Sequence, residues 1–244
     1  MPNKNIFVAG GCHVGGHLVG MHNSFFAQSL NMSEEIDFVG WSRPISIKRA
    51  INFFEDREEL LSSETLVILQ LGNFETSKSL MPKFFSQLRP SSGSSVSSGV
   101  LISNPKESNE KVYAIRPLLA SLFKLSLIFF YELFGLSPFD SKDFELRLRN
   151  LFELLKRANV KQVVVMTTFF SLHPGLNFYR RKANVIIKKL TAEFSFDILD
   201  SYSITKDIGC LQSAFFGNSN FSDYEHLSKE GHLKVARELR KLFV

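Results

Sequence analysis

Five short runs rich in Val, Ile, Leu and Phe, at Asn5–Gly10, Ile36–Gly40, Leu66–Leu71, Gln162–Thr167 and Phe196–Asp200, recur along the chain between turn-forming residues. Their apolar residues are continuous rather than alternating, which is the pattern of strands buried on both faces of a parallel sheet. Between them lie stretches with helical periodicity, at about His17–Leu30, Ile45–Leu61, Ser141–Ala158, Phe178–Phe194 and Lys229–Phe243. In the last, Leu233, Ala236, Leu239 and Phe243 fall near one face. This alternation predicts an α/β fold with helices on both sides of the sheet. At 244 residues and 44% hydrophobic content the chain can bury one sizeable core, so a single domain is expected.

The alternation is interrupted once, at about residues 76–140. The first part of this insertion, Arg89–Ser98, reads RPSSGSSVSS and has the composition of a loop. The second, Ile115 to Leu136, reads IRPLLASLFKLSLIFFYELFGL. It is about as long as a membrane span, but Lys124 and Glu132 interrupt it and Pro117 stands near its start. Three readings stay open: a buried helix or lid, a membrane-surface or partner-binding helix, and a true span. The 25 phenylalanines include six doublets, most of which a core of this size must absorb, while others can line an acyl pocket.

Lys and Arg total 29 against 24 Asp and Glu, a formal charge of +5 at pH 7. The excess is scattered among acids in helical stretches and forms no basic run, so nucleic acid is not an expected partner. Two cysteines, Cys12 and Cys210, provide no disulfide framework. The apolar run in MPNKNIFVAGG is too short for a signal peptide and reads as the first strand, which makes a cytoplasmic location the default. His13, His17 and His22 lie close together without carboxylate or thiol partners at ligand spacing, so no metal is expected. Gly10-Gly11-Cys12-His13-Val14-Gly15-Gly16 follows a strand but matches neither glycine-rich nucleotide fingerprint, and no cofactor is called for.

The chemistry is carried by the two ends. Asp223-Tyr224-Glu225-His226-Leu227-Ser228-Lys229-Glu230-Gly231-His232 places an acid and a histidine on a turn leading into the closing helix, and Gly10-Gly11-Cys12-His13 places a cysteine on the first strand-to-helix turn. Acyl chemistry needs a nucleophile, a base to take its proton, and an acid to hold the base in the right tautomer. Laid out this way, the chain resembles the SGNH, or GDSL-type, hydrolases, an atypical member with cysteine at the nucleophile position. The closing block matches that family's Asp-x-x-His pattern at nearly every position. Val8-Ala9-Gly10-Gly11-Cys12 stands where the family has Gly-Asp-Ser, and Phe38-Val39-Gly40-Trp41-Ser42 is similar to its second block. Leu69-Gln70-Leu71-Gly72-Asn73-Phe74-Glu75 resembles the third, although Asn73 reaches the asparagine place only by a one-residue shift.

The resemblance implies a flavodoxin-like three-layer sandwich with a five-stranded parallel sheet and a helical insertion after strand three. It implies a triad of Cys12 as nucleophile, His226 as base and Asp223 as its orienting acid. It also implies an oxyanion hole from the backbone N–H groups of Cys12 and Gly40 and the Asn73 side chain. Each residue has a plainer reading: Cys12 as a small buried hydrophobe, Asp223 as a helix cap, Asn73 as a turn former. Glu75 is placed as a loop holder, His13 in solvent or a hydrogen-bonded turn, and His232 as structural. The expected activity is that of an acyl ester or thioester hydrolase or acyltransferase working through a covalent acyl-enzyme, on substrates that include acyl-CoA or carrier-bound acyl groups. A catalytically silent SGNH-like binding protein, or a membrane-surface or scaffold protein using Ile115 to Leu136, are the alternatives.

Overall fold

The computed structural model describes residues 6–16, 19, 21–30, 38–39, 46–78, 126, 128–130, 132–134, 137, 139–206, 212–213, 217–223 and 225–243. Strands β1 (Ile6–Gly10), β3 (Leu66–Gln70), β4 (Gln162–Met166) and β5 (Asp197–Leu199) pair in parallel, and the two-residue β2 (Phe38–Val39) pairs in parallel with β1 at the edge. The order across the sheet is β2-β1-β3-β4-β5. This is the doubly wound, flavodoxin-like order, in which the strand order reverses at β1 and β3, and sheets of this kind bind ligands beyond the C-terminal ends of the strands at that point.

Alternate strand residues feed two separate cores, which is why the strands carry continuous apolar runs. Phe7, Ala9, Val67, Leu69, Val163 and Val165 pack with α2 (Ile47–Glu55), α4 (Ser141–Arg157) and α5 (Pro174–Glu193). Ile6, Val8, Ile68, Val164 and Met166 pack instead with α1 (Phe25–Leu30) and α7 (Lys229–Arg240). Two short helices follow strands directly, α3 (Asn73–Lys78) after β3 and α6 (Ser201–Lys206) after β5. The edge strand β5 departs from the sequence pattern, since Asp197 and Ile198 are exposed.

Three helix boundaries differ from expectation. Among the described residues of the stretch expected to be helical over 17–30, a 3-10 turn at Met21–Asn23 comes before α1, which begins at Phe25. Gly15, Gly16 and Gly20 precede it, and Gly16 has φ of 63°, a conformation no helix contains. Helix α2 stops at Glu55, and a separate 3-10 turn occupies Glu58–Leu60. Helix α5 begins at Pro174 rather than Phe178, with proline at a first-turn position, where its missing N–H costs no hydrogen bond.

The insertion is described only in part. Its start, near residue 76, falls inside α3. The Ser/Gly-rich stretch 89–98 lies outside the described residues, as do 115–125, Cys210 and the doublets Phe84-Phe85 and Phe215-Phe216. Within the apolar segment Ile128 is buried in the core, with Phe139 beside it, whereas Phe129, Phe130, Leu133 and Phe134 are 65%, 55%, 65% and 69% exposed. Four large apolar side chains thus face outward from an anchored helical turn. Among the described residues no helix is long and apolar enough to cross a membrane.

Candidate active site

The site forms where the fold turns round, at the C-terminal ends of β1 and β3. Gly10 and Gln70 close their strands side by side, and the chain after each leads to Cys12 and Asn73. Gly72, at φ of 96°, makes the turn from β3 into α3, a backbone conformation that side-chain-bearing residues seldom adopt.

The third contributor is the turn before α7. Ser222 N–H donates to the His226 carbonyl (2.8 Å), and Phe221 and Leu227 form an antiparallel bridge. Asp223 has two duties within it. Its Oδ1 accepts the N–H groups of Glu225 and His226, each at 2.7 Å, and its Oδ2 bonds His226 Nδ1 at 2.7 Å. The N-cap of α7 is Ser228, whose hydroxyl accepts from Gly231 N–H at 3.2 Å, so Asp223 is left to the turn and the ring. Gly231 lets the helix start close to the preceding chain, because a Cβ there would sit 2.2 Å from the Asn220 carbonyl oxygen.

With Nδ1 committed to Asp223, the His226 ring lies near enough to Cys12, a free, partly buried cysteine, for that side chain to favour its protonated form. The three residues of the expected triad, from opposite ends of the chain, are therefore brought together at one place. Burial alone would push the His226 imidazole down, but the hydrogen bonds and charges of Asp223 and Cys12 outweigh it and raise it to about 10. Burial would likewise raise Asp223, but the bond and charge of His226 and the two backbone N–H groups hold it at about 2.

Asn73 sits at the first position of α3, where its Oδ1 accepts from Phe169 N–H at 3.2 Å. That bond fixes the amide and leaves Nδ2 as its donating end. Gly40 lies outside the described residues. Glu75 acts as the loop holder expected of it: its Oε1 accepts from Ile47 N–H (2.7 Å) at the start of α2, and burial pushes its carboxyl up.

The histidines flanking the triad are buried and neutral. His232 is fully buried, its Nδ1 accepting from Phe25 N–H (3.0 Å) at the start of α1, and burial followed by the charge of His226 lowers it to about 3. His13, placed by the sequence in solvent or a hydrogen-bonded turn, is 5% exposed. Its ring packs on Phe169 with centroids 4.4 Å apart, and Nε2 lies 3.0 Å from the Glu225 carbonyl, to which it donates. Burial first, then the charges of His226, His232 and Arg180, hold it well below the usual histidine range.

Arg180 has no counterpart in the sequence reading. It is 1% exposed on α5, donates from one terminal nitrogen to the Phe169 carbonyl at 3.0 Å, and places the other 3.6 Å from Glu225 Oε2. Its one signal in the sequence is position: it shares the apolar face of α5 with Leu176, Ala183 and Ile187. Among the described residues no group of three or more potential ligands is arranged to hold a metal.

No protein-family model matches the chain, and no curated protein matches it in sequence. Solved structures do. A member of the lipolytic G-D-S-L family from Veillonella parvula aligns at a TM-score of 0.60 with 14% identity, covering 98% of this chain and 97% of its own. A GDSL-like lipase of Bacteroides thetaiotaomicron aligns at 0.57 with 12% identity over 98% and 87%. An acetylxylan esterase of Geobacillus stearothermophilus aligns at 0.54 with 12% identity over 98% and 94%. These likenesses span nearly the whole chain, and together with the strand order they show that it has the fold of the SGNH, or GDSL-type, hydrolases.

Proposed function

We propose that the protein is an acyl ester or thioester hydrolase, or an acyltransferase, that works through a covalent acyl group on Cys12. The observation that carries this is a single histidine that Asp223 holds through Nδ1 and whose protonated form Cys12, from the other end of the chain, also favours. The solved esterases and lipases of the same fold support an ester as substrate.

In the first step the sulfur of Cys12 attacks the acyl carbonyl carbon while His226, charged across the neutral range, holds the proton that Asp223 stabilises on its ring. The carbonyl π electrons move to oxygen, and that oxyanion takes hydrogen bonds from Cys12 N–H and Asn73 Nδ2. Collapse breaks the bond to the alcohol or thiol, which leaves with the proton from His226, and a thioester remains on Cys12. Water, or an acceptor alcohol or amine, then attacks the thioester carbonyl while His226 takes its proton. Breaking the C–S bond frees the acid or the transferred acyl product and leaves the proton taken from the acceptor on His226, which restores the starting pair. A thioester intermediate lends itself to transfer as well as to hydrolysis, since it keeps the acyl group reactive towards either acceptor.

Mass measurement of the intact protein after incubation with a panel of acyl-CoAs and acyl esters tests the reading. An acyl adduct or turnover is expected with the wild type and neither with Cys12→Ala. A folded wild type that acquires no adduct and turns nothing over would establish the silent binding protein instead. The outward Phe129, Phe130, Leu133 and Phe134 favour one addition, contact of this face with a membrane surface or a long acyl chain.

A further inference from the structure

The loop that follows β4 is tied down to an unusual degree. Four consecutive backbone N–H groups each donate to a side chain from elsewhere: Thr168 to Asn184, Phe169 to Asn73, Phe170 to Thr205 and Ser171 to Asn177. The carbonyl of Phe169 in turn accepts from Arg180. The same guanidinium reaches Glu225, the residue next to His226 in the turn that Asp223 organises. A guanidinium this deeply buried is costly, the more so because its Nε has no acceptor among the described residues. A neutral donor would satisfy one carbonyl at less cost, so the carbonyl alone does not account for an arginine here. What an arginine adds is a rigid fork able to hold two partners at once.

We propose that Arg180 is a positioning residue of the Cys12–His226–Asp223 site, clamping the Phe169 loop to the Glu225 turn so that His226 stays aligned with Cys12. The inference rests on the triad reading above. One end of the clamp bears on the oxyanion side, because Phe169 N–H fixes the Asn73 amide and the Phe169 ring backs His13. The other bears on the base side twice, through the Glu225 carboxylate and through the Glu225 carbonyl that His13 holds. The groups that face His226 are Asp223, Cys12, His13 and His232, and Arg180 acts on it through Glu225 rather than by contact.

The test uses two readouts on the full chain. The first is the downfield proton resonance of His226 Nδ1–H in its bond to Asp223, assigned by its loss in His226→Ala. The second is the rate of Cys12 alkylation by iodoacetamide across pH. In Arg180→Lys, which keeps a charge but lacks the fork, the resonance should broaden or vanish and alkylation near pH 6 should slow about tenfold. Glu225→Gln, a change at a half-exposed side chain, should slow it about threefold, and the double variant should be no slower than Arg180→Lys. If Arg180→Lys does not fold, Glu225→Gln decides on the same two readouts. A folded Arg180→Lys, or failing that a folded Glu225→Gln, with the wild-type resonance and alkylation profile overturns the proposal. A wild type in which Cys12 alkylates like a free thiol while the resonance is intact refutes the nucleophile and leaves the clamp to be judged by the resonance alone.

Discussion

Asp223 spends one oxygen on the backbone of its own turn and the other on the His226 ring, so a substitution can separate the two duties. Asp223→Asn keeps an oxygen for the turn but removes the charge that raises His226. The imidazole should then fall from about 10 towards its ordinary value, and kcat/KM should drop about 10²- to 10⁴-fold with the fold unchanged. Titration of His226 by NMR and the rate on an identified substrate check both halves. In the wild type, Asp223 at about 2 and His226 at about 10 keep the pair charged across the neutral range. The rate should therefore show no acid limb at the free-histidine value of about 6.5. At the nucleophile, Cys12→Ser should retain part of the activity and Cys12→Ala none, since a hydroxyl can use the same base and oxyanion donors. Full activity in Cys12→Ala or His226→Ala would sink the triad.

Among the elements, α3 is short but holds two others in place. Asn73 reaches the Phe169 loop and Glu75 reaches the start of α2, which follows the block that contains Gly40. Glu75→Ala leaves Ile47 N–H without its buried acceptor and should cost about 1–3 kcal/mol in urea unfolding, while Glu75→Gln, which still offers an oxygen, should keep most of it. The apolar segment calls for a finer test than removal. Because Ile128 is packed in the core, replacing residues 115–136 by a Gly/Ser linker also loses a buried side chain, worth roughly 2–4 kcal/mol by truncation. Converting Phe129, Phe130, Leu133 and Phe134 to Ser or Asn leaves that anchor intact. Stability should hold, while flotation with liposomes and the preference for long over short acyl chains should both fall. If neither moves, the outward face has no part in binding.

For the molecule as a whole, three histidines set the pH dependence of stability. His13 and His232 are lowered in the fold, so each contributes stability that is complete above the unfolded value near 6.5 and is lost as pH falls below it. His226 is raised, so its contribution is complete below that value and is lost as pH climbs towards about 10. On the acid side the unfolded chain binds three protons where the fold binds one, and the two buried rings outweigh His226. Stability carried by these groups should therefore peak near neutrality and fall by roughly 3 kcal/mol by pH 5, the loss at the two buried rings less the small gain at His226. Denaturant midpoints across pH check this, and His232→Asn, which can still accept from Phe25 N–H, should flatten the acid side.

The sequence by itself determined what depends on near neighbours. Continuous apolar runs marked β1, β3 and β4 because both faces of a central parallel strand are covered, and the pattern weakened at β5, an edge with Asp197 and Ile198 exposed. The Asp223–His226 bond was legible because its partners lie within one turn of chain. Where local signals competed the reading failed, as at the helix drawn over 17–30, whose apolar periodicity outweighed the glycine within it at position 20 and the two just before it. Tertiary structure alone decided the rest. Cys12 comes near His226 because β1 lies inside the sheet, next to β3, at the point where the winding reverses. His13 and Arg180, polar residues that composition places outside, are buried because Phe169 and Glu225 close over them. Desolvation and charge–charge coupling act between groups brought together from anywhere in the chain, and no local pattern records them.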